Sequence, residues 1–323
     1  MDNERFSCRK TILAIIITML SFTHGAPIAR VVGGRDKGKI LRVDMDTVEP
    51  TIEVDDIFDI LTSDIMTGGR RKRYNPSDLE TIRECVRRRK APKRDDLRSI
   101  FNRTIEIIDE GRGKEYHIHD GTLSQVPNTT LGRECLYIAG PSGSGKSTYL
   151  NNYVKEYKKV FPKREVYIFS RVEQDKTLEG NDDIQHIMID EDLLEDPIIN
   201  EDLTKSAVIF DDVDTIQEKN IADYIAHLRS DLLETGRHNK VTLLCTSHLL
   251  MDYKKTRTLL NEATSVTFFP RSGSSYHIQR FLKIYCGLNQ TQIERIIGLP
   301  SRWVTICKTA PMWVLYSQGC YLL

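Results

Sequence analysis

The chain has 323 residues, of which 40% are hydrophobic and 28% are charged. This composition is too apolar for a disordered chain and too polar for a protein that crosses a membrane many times. Lys and Arg together number 46, as do Asp and Glu, so no overall excess of charge predicts a nucleic-acid partner. The seven cysteines form no C-x-x-C pair, which predicts reduced thiols in an intracellular protein and no structural zinc.

Residues 1–26 form the first predicted segment, and their main feature is the apolar run TILAIIITMLSF from Thr11 to Phe22. A basic pair precedes the run and small residues follow it, as in a secretory signal. The run is shorter than the roughly 20 residues of a membrane-spanning helix, but it suits an anchor or an interfacial segment. The third interpretation, which we favour, is an over-extended start with Met19 as the true first residue.

Residues 27–130 combine a β-rich lead-in with a basic region. The runs IARVVGG and KILRV predict two strands joined by a glycine-containing turn. Residues 68–104 hold 13 basic and 5 acidic residues, a net charge of +8, and Pro76 marks a helix start. This region is either a solvated helical face with a basic loop or a surface that contacts nucleic-acid phosphates.

Residues 131–323 alternate strand and helix patterns, which predicts an α/β fold with a mainly parallel sheet sandwiched by helices. The tail after residue 274 predicts two helices, the second capped by Thr291 with Glu294 three residues later. The predicted strands of this region, in chain order, are ECLYIA, VYIFS, AVIF, VTLLCTS, SVTFF, RWVTI and MWVLY.

The first chemical motif is the segment GPSGSGKS, which fits the phosphate-binding pattern G-x-x-x-x-G-K-[ST]. An apolar strand precedes it and a helix follows, so backbone N–H groups and the helix amino terminus can bind phosphates. Lys146 is expected to neutralise the β- and γ-phosphates, and the Ser147 hydroxyl to ligate magnesium. The predicted nucleotide-binding residues are Gly140, Pro141, Ser142, Gly143, Ser144, Gly145, Lys146, Ser147 and Thr148.

The second motif is the acidic pair that follows the apolar strand AVIF. Parallel strands deliver their carboxyl ends to one edge of the sheet, so both carboxylates should lie beside the phosphate loop. Asp211 is expected to hold magnesium, directly or through water. Asp212 is expected to orient or polarise the attacking water.

Two further predictions concern polar residues on either side of the strand VTLLCTS. In nucleotidases that insert a strand between the loop strand and the carboxylate strand, its terminal polar residue senses the γ-phosphate. Thr246 or Ser247 fits that role, although both are also common turn formers. Arg237 is a candidate arginine finger for a neighbouring subunit, with Arg229 as a second candidate. The alternative for Arg237 is a surface arginine at a helix carboxyl end.

From Glu134 to Leu323 the chain resembles viral genome-packaging ATPases of large nucleocytoplasmic DNA viruses, including the poxvirus packaging ATPase, within the HerA/FtsK-type P-loop superfamily. The family's loop residues match Lys146 and Ser147, and its acidic pair matches Asp211 and Asp212. Many motors of the superfamily carry Asp-Glu where this chain has Asp-Asp. The motifs that carry the resemblance are LYIAGPSGSGKSTYL, VYIFSRV, AVIFDDVD, GRHNKVTLLCTSH, FFPRSG and SRWV.

The resemblance implies ATP hydrolysis that drives double-stranded DNA into a capsid, by a ring of subunits with DNA in its pore. Implied partners are DNA, gripped through its phosphates, other copies of the chain, and capsid or membrane-associated assembly proteins. The implied location is the host cytoplasm or the virion assembly site.

Two other functions remain open from the residues alone. The loop SGSGKS also suits a nucleoside or nucleotide kinase, which would consume ATP only with its acceptor. A nucleotide-gated scaffold, anchored to a membrane by the apolar run, is the non-enzymatic alternative.

Overall fold

A computed structural model describes residues 19–44, 76–88, 90–95, 97–98, 101–102, 115–172, 184–252 and 255–323. The chain divides into two compact units: Leu20–Val43 with Glu115–Leu323 forms one, and the segment between them belongs to the other. The apolar run up to residue 18 lies outside the described residues. No helix among the described residues is long and apolar enough to cross a membrane.

The strands are numbered in chain order. They are β1 Met19–Ser21, β2 Ala26–Val32, β3 Ile40–Asp44, β4 Glu115–His117, β5 Thr122–Gln125, β6 Cys135–Ala139, β7 Val166–Ser170, β8 Gln185–Met188, β9 Ala207–Phe210, β10 Thr242–Ser247, β11 Ser265–Phe268, β12 Val304–Cys307, β13 Trp313–Tyr316 and β14 Gly319–Leu322.

The helices are numbered in the same way, and short 3-10 turns cover Asn200–Leu203 and Val213–Thr215. The α-helices are α1 Pro76–Arg87, α2 Lys146–Val160, α3 Asp192–Glu195, α4 Lys219–Glu234, α5 Arg257–Glu262, α6 Ser275–Ile284 and α7 Gln290–Ile297.

The large unit is built on a ten-stranded sheet with the order β4-β14-β13-β12-β11-β6-β10-β9-β7-β8. The six strands from β11 to β8 are parallel, and every residue of β6, β9, β10 and β11 is buried. Parallel strands covered on both faces need such continuous apolar runs, which is why they are the clearest strands in the sequence. The predicted α/β class and mainly parallel sheet are confirmed. Strand β10 lies between β6 and β9, which is the inserted strand expected from the sequence.

The remaining four strands extend this sheet in antiparallel order beyond β11. The sequence predicts strands at β12 and β13, but it gives no signal for the short β4, β8 and β14. The capping residues of α7 also differ from the prediction. Asn289, not Thr291, caps this helix, and Gln292 returns the capping hydrogen bond. The predicted capping pair was wrong by two residues, since several neighbouring polar residues can serve as caps.

A second sheet of four strands, here called the small sheet, has the order β1-β3-β2-β5. It contains both strands predicted for the lead-in and begins at Met19, inside the apolar run. Leu20, Ile28 and Val31 are buried in one apolar cluster with Trp313 and Leu315 of β13. The small sheet is therefore packed against the antiparallel extension. The domain boundaries at residues 26 and 130 stay predictions.

The basic region contributes helix α1, which begins at Pro76 as predicted. Among its described arginines, Arg88 pairs with Glu84 at 2.7 Å and Arg94 pairs with Asp78 at 2.6 Å. Part of the local positive charge is therefore neutralised within the segment. Basic residues 70–73, 89 and 103 lie outside the described residues.

Candidate functional site

The phosphate loop connects β6 to α2 at the carboxyl edge of the parallel sheet. Gly140 has no room for a side chain, because the Phe269 ring and the Ser144 hydroxyl lie within 2.7 Å of where its Cβ would be. Gly145 adopts a left-handed conformation with φ of 113° and immediately precedes α2, whose first turn has no side-chain cap. The first-turn N–H groups of α2 are thus left to an anionic ligand, as in phosphate-binding helices.

Lys146 is the first residue of α2, and its side chain is only 7% exposed. Its Nζ donates to the Gly140 carbonyl oxygen at 3.0 Å and lies 3.4 Å from Asp212 Oδ2. A buried ammonium group needs such partners, because an unpaired buried charge is very costly. The loop lysine and the second acidic residue, 66 positions apart in the chain by their numbering, therefore meet in one site.

The acidic pair follows β9, and Thr246 at the end of β10 joins its two members. The Thr246 hydroxyl lies 2.7 Å from Asp211 Oδ1 and 3.2 Å from Asp212 Oδ1, so it can donate to either carboxylate. The Asp212 N–H donates to the same hydroxyl oxygen at 2.9 Å. Asp212 has a left-handed φ of 46°, which is uncommon for a residue with a side chain and turns the chain sharply after the strand. Thr246 thus holds both carboxylates beside the loop.

His248 is a member of this site to which the sequence analysis gave no role. Its Nε2 lies 3.1 Å from Asp212 Oδ2, and its side chain is partly exposed. Asp212 therefore lies between Lys146, Thr246 and His248. The signal in the sequence was the position of His248, two residues beyond the strand-end threonine.

Arg302 is a second residue that the sequence analysis did not select. It precedes β12, and its guanidinium donates from Nε to the Ser144 carbonyl and from Nη2 to the Gly143 carbonyl, each at 2.7 Å. Two charge-assisted hydrogen bonds from one planar group fix the orientation of these peptides. Arg302 therefore fixes the phosphate loop at Gly143 and Ser144, from the side of the sheet on which the antiparallel strands lie.

The two candidate arginine fingers occupy different places in the fold. Arg237 is exposed in the turn before β10, at the opposite edge of the sheet from the loop, and a six-residue strand spans roughly 20 Å. Arg229 is partly buried and pairs with Asp214 at 3.2 Å. Within one chain, Arg237 does not face the phosphate loop. Its role as a finger for a neighbouring subunit stays a prediction.

The remaining loop residues present oxygen and nitrogen atoms that suit a triphosphate with magnesium. Ser147 is partly buried, Ser142 and Thr148 are exposed, and the buried Ser144 hydroxyl has no hydrogen-bond partner within the described part of the chain. Magnesium is commonly held by one or two protein oxygens together with substrate phosphates. No group of three or more His, Cys, Asp or Glu side chains suited to a metal occurs among the described residues. The assignment of Ser147 and Asp211 to a magnesium ion bound jointly with a nucleotide stays a prediction.

A buried acid lies at the foot of β6, next to the helix that carries the loop. Burial raises the pKa of Glu134 from 4.5 to about 7, although hydrogen bonds from Tyr153 and the Asn128 N–H oppose this change. The Tyr153 hydroxyl donates to Glu134 Oε2 at 2.7 Å, and Tyr153 belongs to α2. Glu134 thus links the loop helix to the sheet and does not reach the phosphate site.

Comparison with known proteins gives one close sequence relative and several distant structural likenesses. No protein-family model matches the chain. It is 44% identical over 220 residues to uncharacterized protein V3 of Sputnik virophage, covering 68% of this chain and 88% of V3. The genome packaging NTPase B204 of Sulfolobus turreted icosahedral virus 2, in complex with AMPPCP, is 13% identical, with 57% of this chain and 97% of B204 covered at a TM-score of 0.38. For the pCW3 conjugation coupling protein TcpA the identity is 13%, the coverage 91% of this chain and 77% of TcpA, and the TM-score 0.41.

Proposed function

The chain belongs to the family of protein V3 of Sputnik virophage, and we propose that it is a P-loop ATPase that moves double-stranded DNA, packaging a viral genome into its capsid. The observation that carries the proposal is the meeting of Lys146, Asp212 and Thr246 at the end of an inserted parallel strand. This arrangement joins a phosphate-binding loop to a carboxylate that can activate water. The viral origin of the relative supports the packaging role.

In this proposal the chain's own groups perform three tasks. The N–H groups at the start of α2 and the Lys146 ammonium bind the β- and γ-phosphates of ATP. Ser147 and Asp211 would hold magnesium, which when bound would supply positive charge against the negative charge that develops on the phosphates. Asp212 accepts a proton from the attacking water or orients that water, and Thr246 holds Asp212 in place beside the γ-phosphate.

The lysine contact with Asp212 gives this scheme a physical consequence. The Lys146 ammonium lies 3.4 Å from the Asp212 carboxylate and balances its charge. Bound phosphates compete for the same ammonium, because they carry more negative charge than one carboxylate. Nucleotide binding thus frees Asp212 to accept a hydrogen bond from water, and hydrolysis is coupled to the presence of the γ-phosphate.

The DNA partner and the ring are supported by charge and by the position of Arg237. Sequence-independent grip needs only basic side chains on phosphates, and the segment 68–104 supplies a net charge of +8. Arg237 lies at the edge of the sheet opposite its own loop, so a ring of subunits is the arrangement in which it reaches a γ-phosphate. The inserted strand with its hydroxyl on both carboxylates favours hydrolysis over the kinase alternative.

The proposal is tested by steady-state ATPase activity of the full chain, with and without long double-stranded DNA, at low and high salt. We expect DNA to stimulate turnover and high salt to weaken that stimulation, because phosphate contacts release counterions. Lys146→Ala should abolish turnover, whereas Lys163→Ala, at an exposed position outside the loop, should not. Turnover that requires an added nucleoside and ignores DNA would instead identify a kinase.

A further inference from the structure

A cavity of about 530 Å³ opens beside the phosphate loop, within the large unit. Thr148 and Asn152 of α2 form its floor, and Val32 and Ser124 of the small sheet form its roof. Its size falls within the range of pockets that bind small molecules, roughly 300–1,000 Å³. The cavity lies on the side of the loop that faces β11 and β12, since Phe269 and Trp303, which directly follow β11 and precede β12, also line it.

The direction of a bound triphosphate follows from the sheet order. The acidic pair follows β9 and Thr246 lies near the end of β10, and both strands are on one side of the loop strand β6. Hydrolysis takes place at the γ-phosphate, so this end of the phosphate chain lies beside the acidic pair. The α-phosphate then lies toward the other side of β6, where β11 and β12 are. The group attached to the α-phosphate therefore extends from the loop next to Thr148, where the cavity opens.

We propose that this cavity binds the base and ribose of the nucleoside triphosphate, and that the small sheet forms one wall of the nucleotide site. The proposal rests on the proposed ATPase function and extends it to a part of the chain that carries no nucleotide motif. The ligand is a nucleoside whose flat ring packs on apolar side chains while its polar edge meets hydrogen-bonding groups.

The cavity walls have the chemistry that such a ligand requires. Val32 is 46% exposed, one of seven large apolar side chains that are exposed among the described residues, and it lines the cavity. Trp303 adds an aromatic surface, whereas Asn152 and Ser124 add hydrogen-bonding groups on the floor and the roof. Burial of apolar ring surface supplies affinity, and a few placed polar groups supply specificity.

One ion pair joins the roof of the cavity to its floor. Arg30 of β2 donates to Glu156 of α2 at 2.6 Å, and the Glu156 carboxylate is 6% exposed. Lys159 pairs with the same carboxylate at 2.7 Å. The ion pair from Arg30 to this buried carboxylate fixes the small sheet over the loop helix, so the cavity has a defined shape before a ligand enters.

The test compares two ligands on the full chain by isothermal titration calorimetry with magnesium. ATP can use both the loop and the cavity, whereas inorganic tripolyphosphate can use the loop alone. We expect the wild-type chain to bind ATP at least about tenfold more tightly than tripolyphosphate, since the nucleoside adds buried contacts. Equal affinities for the two ligands would overturn the cavity proposal and leave the proposed ATPase intact. Failure to bind either ligand would contradict both proposals.

Two variants fill the cavity from opposite walls: Asn152→Phe from the floor and Ser124→Leu from the roof. Each should weaken ATP binding by about tenfold and leave tripolyphosphate binding within about twofold, because only the nucleoside loses space. Asn261→Phe is the matched control for Asn152→Phe, at an exposed helical asparagine outside the cavity, and should change neither affinity. Lys146→Ala should weaken the binding of both ATP and tripolyphosphate. If both filling variants keep wild-type ATP affinity, or lose both ligands equally, the cavity does not bind the nucleoside.

Discussion

The two sides of the phosphate loop differ in how completely the protein has filled them. On the side of β9 and β10, Lys146 and His248 lie within 3.4 Å of Asp212, and Thr246 contacts both carboxylates. On the side of β11 and β12 lies a cavity of about 530 Å³. On the first side the charged and polar groups are already in contact with one another. Electrostatic stabilisation of a transition state depends on groups that are in position before the reaction. The second side leaves an open cavity, which is the space that we propose for the nucleoside.

The two sides also come from different parts of the fold. Buried parallel strands deliver the acidic pair and Thr246, so the chemical side is part of the continuous core of the sheet. The open side combines the loop helix with the small sheet and with residues next to the antiparallel strands. A change on the chemical side should therefore affect turnover, and a change on the open side should affect binding.

The largest expected effect comes from removing the charge of Asp212, the carboxylate that we propose as the base. Asp212→Asn should leave nucleotide binding within a few-fold of wild type and lower kcat by roughly 10²-fold or more, because an amide cannot accept the proton of water. Steady-state ATPase activity together with nucleotide affinity checks this split. Asp223→Asn, an exposed acid on α4, is the control. Normal turnover in Asp212→Asn would move the base to another residue.

A smaller effect is expected from the buried acid at the foot of the loop helix. The pKa of Glu134 is raised to about 7 from 4.5, so the folded chain favours the neutral carboxyl group. The stability that the neutral form contributes is complete below pH 4.5 and is lost as the pH rises through about 7. From pH 5.5 to 8.5 the loss is about 2 kcal/mol.

Urea unfolding at these two pH values checks this prediction. Other groups also titrate over the range, so the quantity of interest is the difference between wild type and Glu134→Gln. The glutamine variant does not ionise, and its free energy of unfolding should fall less over this interval by about 2 kcal/mol. An equal pH dependence in both proteins would mean that Glu134 is charged in the folded chain.

The smallest effect concerns the arginine that holds the loop from the open side. Arg302→Lys keeps the positive charge but cannot donate in parallel to the Gly143 and Ser144 carbonyls. We expect KM for ATP to rise by about tenfold with little change in kcat. The reason is that the lost hydrogen bonds hold the shape of the phosphate loop, which binds ATP, and do not contact the reacting atoms. Arg280→Lys, on the exposed face of α6, should leave both constants unchanged. A fall in kcat alone would instead place Arg302 in the chemical step.

The sequence by itself determined the α/β class, the positions of the main strands along the chain, and the loop and acidic motifs. Each of these depends on neighbouring residues: apolar runs for buried strands, and G-x-x-x-x-G-K-[ST] for a loop between strand and helix. It did not identify the short edge strands, and it misplaced the cap of α7 by two residues, because several polar residues there can serve as caps.

Only the tertiary structure decided which distant residues complete the site. Arg302 bonds to Ser144 across 158 positions of sequence, and the small sheet reaches the loop helix through Arg30 and Glu156, 126 positions apart. His248 meets Asp212 because β9 and β10 are neighbours in the sheet. Such contacts depend on strand order and packing, which local patterns do not encode. The physical reason is that a motif fixes the conformation of its own segment, whereas the walls of a site are set by the segments that fold against it.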